Sequence, residues 1–337
     1  MPTYSNSNMK HLRLSYALLL LCMLCLLLSR NMAPFVHHGQ TQIHPDVQIG
    51  DFHDACKDLT ATEKQWPCDA DNTTAFIRRL IQYDRPDLVV FTGDNVYGTR
   101  SDQYSKYLLL LITEPIVSAG IPCALVTGNH DVELPWMSVS ALHNFMRRER
   151  ARGGGGALLS GNGLIKVHSP DQHTHPHLWL FEYMHAPCVF CYNGAGHGSY
   201  RPITKEQIDF FNHNSEPNTL SLAFTHVPVE EYHHITHRLG SQHDTITDSG
   251  QGELYTTLSR RNVAVLSVGH DHTNDFCGQV NGGMHLCYAG GAGYTTYGRV
   301  GWARRARMFI VKNGVLSTYT RLDDRNFSQI HHQDLRT

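Results

Sequence analysis

Five polar clusters, each placed just beyond a short apolar run, limit what this chain can fold into more than any other feature. Asp51 and His53 follow 47–50, Asp94 follows 88–91, and Asn129, His130 and Asp131 follow 123–127. His226 follows 220–225, and His270 with His272 follow 263–268. Apolar runs this short, bounded by turn residues, are read as buried strands. Between them the periodicity predicts helices over 74–82, with Asn72 or Thr73 as cap, and from about 102 to 111, continuing past Pro115. The resulting β-α-β-α-β order calls for a sheet with parallel strands and crossover helices. In such a sheet the loops beyond the carboxyl ends of the strands converge on one crevice, so the five clusters become one site.

The remainder of the chain is read in the same way. A helix over 138–152 ends in the glycine loop 153–156, and strand-like stretches follow at 164–168 and 178–182. Helices are expected at 204–211, capped by Thr204, and at 253–261, with strands at 284–288, 306–311 and 315–319. No internal repeat is visible, and no linker is long enough to divide the chain into separate domains.

The N-terminus carries a targeting signal. Lys10 and Arg13 precede an apolar run over 14–28, long enough for a secretory signal and short for a full membrane span. Residues 1–33 are therefore a signal peptide or a signal anchor, with a membrane as partner only in the second case. Sequons at Asn72 and Asn326 agree with a secreted or lumenal glycoprotein, in a vacuole or lysosome among other places. Two of the nine cysteines lie in the apolar run. In an oxidising compartment the close pairs are Cys56 with Cys68 and Cys277 with Cys287. Cys188 and Cys191 run into a glycine-rich loop and read as a local disulfide or as packing, not as a redox motif. The formal charge is −2, and residues 1–33 contain three basic and no acidic residues, so their loss makes the chain more acidic. Sequence-independent binding of nucleic acid requires the opposite sign.

The chemistry of the clusters is that of metal ligands. Carboxylates, an amide oxygen and several imidazoles form a mixed nitrogen and oxygen set suited to Mn, Fe or Zn and poorly suited to Ca. Asp51, His53, Asp94, Asn129, His226, His270 and His272 are too many for one tetrahedral ion and fit two ions that share a carboxylate. Asp94 is the natural bridge, because Gly93 lets the backbone approach closely beside it. Arg304, Arg305 and Arg307 either attract an anionic substrate or lie on alternating strand faces.

The motifs D-x-H at 51–53, GDN at 93–95, GNHD at 128–131, FTHVP around His226 and GHDH at 269–272 resemble the motif series of the calcineurin-like metallophosphoesterases. DNTT at 71–74, HVPVEEY from His226, GHDHTNDFCG at 269–278 and GGAGYTTYGRVGWARRAR at 290–307 resemble a short eukaryotic group allied to purple acid phosphatases. The likeness spans about residues 45–322. It implies a single-domain α/β sandwich of two mixed β-sheets flanked by helices, over 38–327, with 328–337 as a C-terminal tail.

Carried over by position, the resemblance implies that Asp51, His53, Asp94 and His272 hold one ion and that Asp94, Asn129, His226 and His270 hold the other. His130 is then a general acid for the leaving group, and Asp131 orients it and raises its pKa. One departure stands out. Purple acid phosphatases have Gly where His53 stands and a Tyr three residues after the bridging Asp, and this chain has both His53 and Tyr97, so Tyr97 is an alternative ligand. The implied function is hydrolysis of a small phosphate monoester by a metal-bound hydroxide. The alternatives are a phosphodiesterase acting on a nucleotide, phospholipid head group or other diester, and a secreted binding module that has lost catalysis.

Overall fold

The computed structural model describes residues 41–43, 70–96, 102–132, 140–142, 144–145, 148, 158–160, 163–167, 175–182, 200, 202–250 and 252–336. Asp51, His53, Tyr97, the strand predicted over 47–50 and the first 33 residues lie outside the described residues, as does most of the helix predicted over 138–152. The first half holds β1 (Thr41–Ile43), α1 (Ala70–Asp84), β2 (Val89–Phe91), α2 (Asp102–Ser118), β3 (Cys123–Leu125), β4 (Leu158–Ser160), β5 (Gly163–Lys166) and β6 (His177–Leu180). The second half holds α3 (Lys205–Asn214), β7 (Ser221–Phe224), β8 (His237–Leu239), α4 (Leu254–Arg260) and β9 (Val265–Val268). It ends with β10 (Cys277–Gln279), β11 (His285–Tyr288), β12 (Arg305–Lys312), β13 (Val315–Leu322) and β14 (Gln329–Arg336).

The strand alternation sorts the apolar side chains into layers. Val89 and Phe91 of β2 and Cys123 and Leu125 of β3 pack against α1 and α2 through Phe76, Leu80, Leu108 and Ile112. Their neighbours Leu88, Val90, Ala124 and Val126 face the other way, onto Leu178 and Leu180 of β6, Leu222 and Phe224 of β7, and Phe309 of β12. On the far side, Trp179, Ala223, Leu266 and Leu286 pack with Phe211 of α3 and Leu258 of α4. The order is helix, sheet, sheet, helix, as expected from the resemblance.

The parallel strands β2, β3 and β4 form one sheet. A second has the order β5-β6-β7-β9-β11-β10-β8, with β6, β7, β9 and β11 mutually parallel and β5, β10 and β8 antiparallel to their neighbours. A third runs β1-β12-β13-β14, all antiparallel, and β1 also lies alongside β2. The described residues belong to one compact unit, Gly39–Thr337.

Three local expectations need correction. Helix α1 begins at Ala70, so neither Asn72 nor Thr73 caps it; Thr73 Oγ1 instead accepts the Tyr294 N–H at 2.9 Å. Residues 328–337, read as a tail, contain β14, whose pairing with β13 makes it a strand of the sheet. Its polar sequence hides the strand, because Leu335 is its one buried large apolar side chain. The three arginines around the start of β12 are buried and bonded. Arg304 donates to Tyr297 O and Thr296 O, Arg305 pairs with Asp275, and Arg307 donates to Tyr288 O and Thr318 Oγ1 and also bonds Asp275 O. Arg305 and Arg307 tie β12 to the chain around Asp275 and Tyr288, and Arg304 holds the backbone at 296–297. The expected continuation of α2 past Pro115 is present, held by the burial of Leu109, Ile112 and Ile116 despite the missing N–H. Cys277 and Cys287 sit opposite one another in the β10–β11 register and form a disulfide.

Candidate metal centre

The chain leaves β2 through Gly93 at φ 108° and Asp94 at φ 49°, both in the left-handed region. The turn folds the Asp94 carboxylate back under the strand ends, where it is 1% exposed. A Cβ on Gly93 would strike the His226 ring, and one on Gly128 would strike Asp94. Gly93 thus permits close approach between loops from two different sheets, and Gly128 between the loops after β2 and β3 of one sheet.

At the centre of this approach is His226, fully buried after β7. Its Nδ1 is 2.9 Å from the Thr92 carbonyl, which accepts an Nδ1 proton and fixes the ring so that Nε2 faces the other clusters. Around Nε2 lie Asn129 Oδ1 at 3.0 Å, Asp94 Oδ2 at 3.1 Å and His270 Nδ1 at 3.2 Å. Asp94, His226 and His270 each offer an electron-rich atom within 4.8 Å of the others. Four donor atoms from separate loops thus converge on one point. Two imidazole nitrogens, an amide oxygen and a carboxylate suit a borderline transition metal. The fit is therefore good. Two of the donors come from loops after β2 and β3, and two from loops after β7 and β9.

The electrostatics agree. Burial opposes the Asp94 charge, but the His226, His130 and His270 imidazoles hold its carboxyl far below the usual carboxylate range. Burial, with His226 beside it, pushes His270 well below its ordinary value and leaves a neutral ligand. His270 itself has φ 70°, and Tyr200 meets its ring edge-on at 4.7 Å.

His272 stands on the same loop. Burial lowers its pKa to about 4, with the Asp94 charge opposing. Its Nδ1 is 3.1 Å from Thr296 Oγ1 and 3.3 Å from Tyr297 O. The partners the resemblance gives it for an ion, Asp51 and His53, lie outside the described residues, and so does the choice between His53 and Tyr97.

His130 and Asp131 differ in how they are held. The His130 N–H donates to Asp94 Oδ1 at 2.8 Å, which fixes the backbone of His130 against the carboxylate. The Asp131 carboxylate is held by groups of both loops. Its Oδ2 accepts from Gly128 N–H at 2.8 Å and Asn95 Nδ2 at 2.9 Å, and its Oδ1 from Val96 N–H at 3.0 Å. Asn95 Nδ2 also reaches Val126 O at 2.9 Å. Asp131 is a staple between the loop after β2 and the loop after β3. Burial and the Asp94 charge push its carboxyl up to about 7 while the three N–H donors pull it down.

Sequence reasoning missed the Thr92 carbonyl, which carries no side-chain signal, and Asp244 and Tyr297 beside His272; Arg304 was singled out, but not for the backbone it holds around His272. The glycine-rich run over 290–307 was the pointer to Tyr297.

Residues 47–274 match the calcineurin-like phosphoesterase family. The chain belongs to that family. The matched span takes in every predicted ligand from Asp51 to His272. Among relatives in this family group, "Probable inactive purple acid phosphatase 28" of Arabidopsis thaliana is 31% identical, covering 86% of this chain and 83% of that protein. Phosphatase DCR2 of Saccharomyces cerevisiae is 30% identical over 73% of this chain, which spans 47% of the yeast protein. The fold is shared with a dimetal phosphatase from Danio rerio at a TM-score of 0.58, with 12% identity over 88% of this chain and 98% of that one. This family member thus has an α/β metallophosphoesterase fold with mixed sheets flanked by helices.

Proposed function

We propose that the chain is an acid-phosphatase-like, metal-dependent phosphomonoesterase acting on small phosphorylated substrates. The observation that carries this reading is the convergence of Asp94, Asn129, His226 and His270 on one point, with the His226 ring fixed from behind by the Thr92 carbonyl. Those four residues would hold one ion, and Asp51, His53, Asp94 and His272 a second, each Fe, Mn or Zn. Bound there, the ions supply Lewis acidity that draws charge from the phosphoryl oxygens.

The protein's own groups do the rest. Asp94 stays ionised, because three imidazoles surround it. Gly93 lets ligands from two sheets meet, and Gly128 lets the loop after β3 close on Asp94. His130, fixed beside Asp94 through its backbone, is the group that protonates the departing alkoxide. The Arabidopsis relative is named a probable inactive enzyme; the four donors aimed at one point in this chain support the catalytic reading. The basic and apolar N-terminus and the Cys277–Cys287 disulfide support a place in the secretory pathway.

The test is elemental analysis of the purified chain alongside hydrolysis of mono- and bis-aryl phosphates. Two ions per chain and faster monoester cleavage are expected, with Asp94→Ala and His226→Ala losing both metal and turnover. Faster diester cleavage makes the chain a phosphodiesterase. A folded protein holding less than about one ion per chain is a binding module and not an enzyme.

A further inference from the structure

The run GGAGYTTYGRVGWAR, visible in the sequence only as a motif, wraps one imidazole. Tyr297 stacks on the His272 ring, with centroids 4.0 Å apart and planes 16° from parallel. Its hydroxyl accepts the His272 backbone N–H at 3.1 Å and donates to Asp244 Oδ2 at 3.0 Å. The Tyr297 carbonyl and the Thr296 hydroxyl both meet His272 Nδ1. Behind them the buried Arg304 guanidinium holds the carbonyls of Tyr297 and Thr296 at 2.9 and 2.6 Å. Asp244 is anchored in turn. Its Oδ2 accepts the Thr273 N–H at 2.8 Å, and its own N–H and that of His243 donate to Asn274 Oδ1 at 2.9 Å each.

Space has been cleared for this arrangement. A Cβ on Gly291 would lie 2.9 Å from His272 O, and one on Gly298 would lie 3.0 Å from the Arg304 guanidinium. His272 is therefore gripped on its ring face, at its backbone N–H and at Nδ1. The nitrogen left to meet an ion is Nε2. None of these contacts touches the Thr92 carbonyl that sets His226, so the two histidines are oriented by separate pieces of chain.

We infer that Tyr297 and Asp244 are positioning residues that hold His272 for one of two metal sites and leave the site of Asn129, His226 and His270 untouched. This rests on the metal-dependent reading above. Orienting groups of this kind are worth about ten- to a hundredfold in metal affinity.

The experiment is stepwise Co(II) titration of the metal-stripped full chain, followed by calorimetry and by the visible d–d absorption of the bound ion. Wild type is expected to bind in two steps. Tyr297→Phe removes the hydroxyl and keeps the stacked ring, and it should weaken one step at least about tenfold, with a changed spectrum for that ion and the other step intact. Asp244→Asn should weaken the same step, and it carries the test should Tyr297→Phe fail to fold. Tyr232→Phe is the control for loss of a buried tyrosine hydroxyl, since Tyr232 donates to Leu266 O and Cys287 O and touches no proposed ligand; both steps should survive. Wild-type binding by Tyr297→Phe and Asp244→Asn, or equal weakening by Tyr232→Phe, overturns the inference. A wild-type chain that binds no Co(II) overturns instead the metal-dependent reading beneath it.

Discussion

Asp94 holds a backbone conformation, φ 49°, that a residue with a Cβ adopts at a cost of about 1–2 kcal/mol. The His130 N–H on its carboxylate and the bare Gly128 against its side chain compensate for that cost. Gly93 is the more sensitive neighbour, because its φ of 108° and the His226 ring both refuse a side chain. Gly93→Ala should displace His226 or Asp94 by a few tenths of an ångström or more and lower kcat/KM on an aryl phosphate about a hundredfold. Unchanged turnover and metal content in that variant would show that the close approach is dispensable. At this scale the meeting of Asp94, Asn129, His226 and His270 was legible, since each lies just after an apolar run. The Thr92 carbonyl was not, because every residue has one and only the folded chain says which is used. The bonding of Asp131 was not legible for a related reason: its carboxylate accepts from three N–H donors of both loops, two of them on the backbone.

Elements were readable where burial is two-sided. β2, β3, β6, β7 and β9 are unbroken runs of buried residues, so their composition alone marks them. β8 is exposed throughout and β14 is mostly polar, and both exist because a neighbouring strand offers its hydrogen bonds. Helix ends followed local chemistry at α3 but not at α1. Thr204 Oγ1 accepts the Gln207 N–H at 3.4 Å while Gln207 Oε1 accepts the Thr204 N–H at 3.0 Å, a reciprocal cap that the sequence announces. Thr204→Ala should cost about 1 kcal/mol of unfolding free energy. A urea melt giving the wild-type midpoint would show that packing of Ile208 and Phe211 alone holds the helix. At α1 one of the two expected caps, Thr73, is drawn into a contact with residue 294, and long-range partners of that sort leave no local trace.

Across the whole molecule the sheets are tied behind the site as well as at it. Arg307, from β12, bonds Tyr288 O at the end of β11 and the backbone of Asp275, while Arg321 of β13 pairs with Asp84 at the end of α1. In front, the four candidate ligands come in two pairs from two different sheets. An ion that binds the folded site and not the unfolded chain adds about 2.7 kcal/mol at a hundred times its dissociation constant. Stripping with a chelator should therefore lower Tm by several degrees, and Asp94→Ala should lose that difference between loaded and stripped protein. Equal melting with and without metal would mean that the ions do not bridge the sheets. The pairing has a consequence for abundance too. A fastener shared between catalysis and folding makes scarce metal a cause of turnover, because the unloaded chain opens more often and is exposed to proteolysis. The amount of protein present would then track metal supply, with no separate sensor needed.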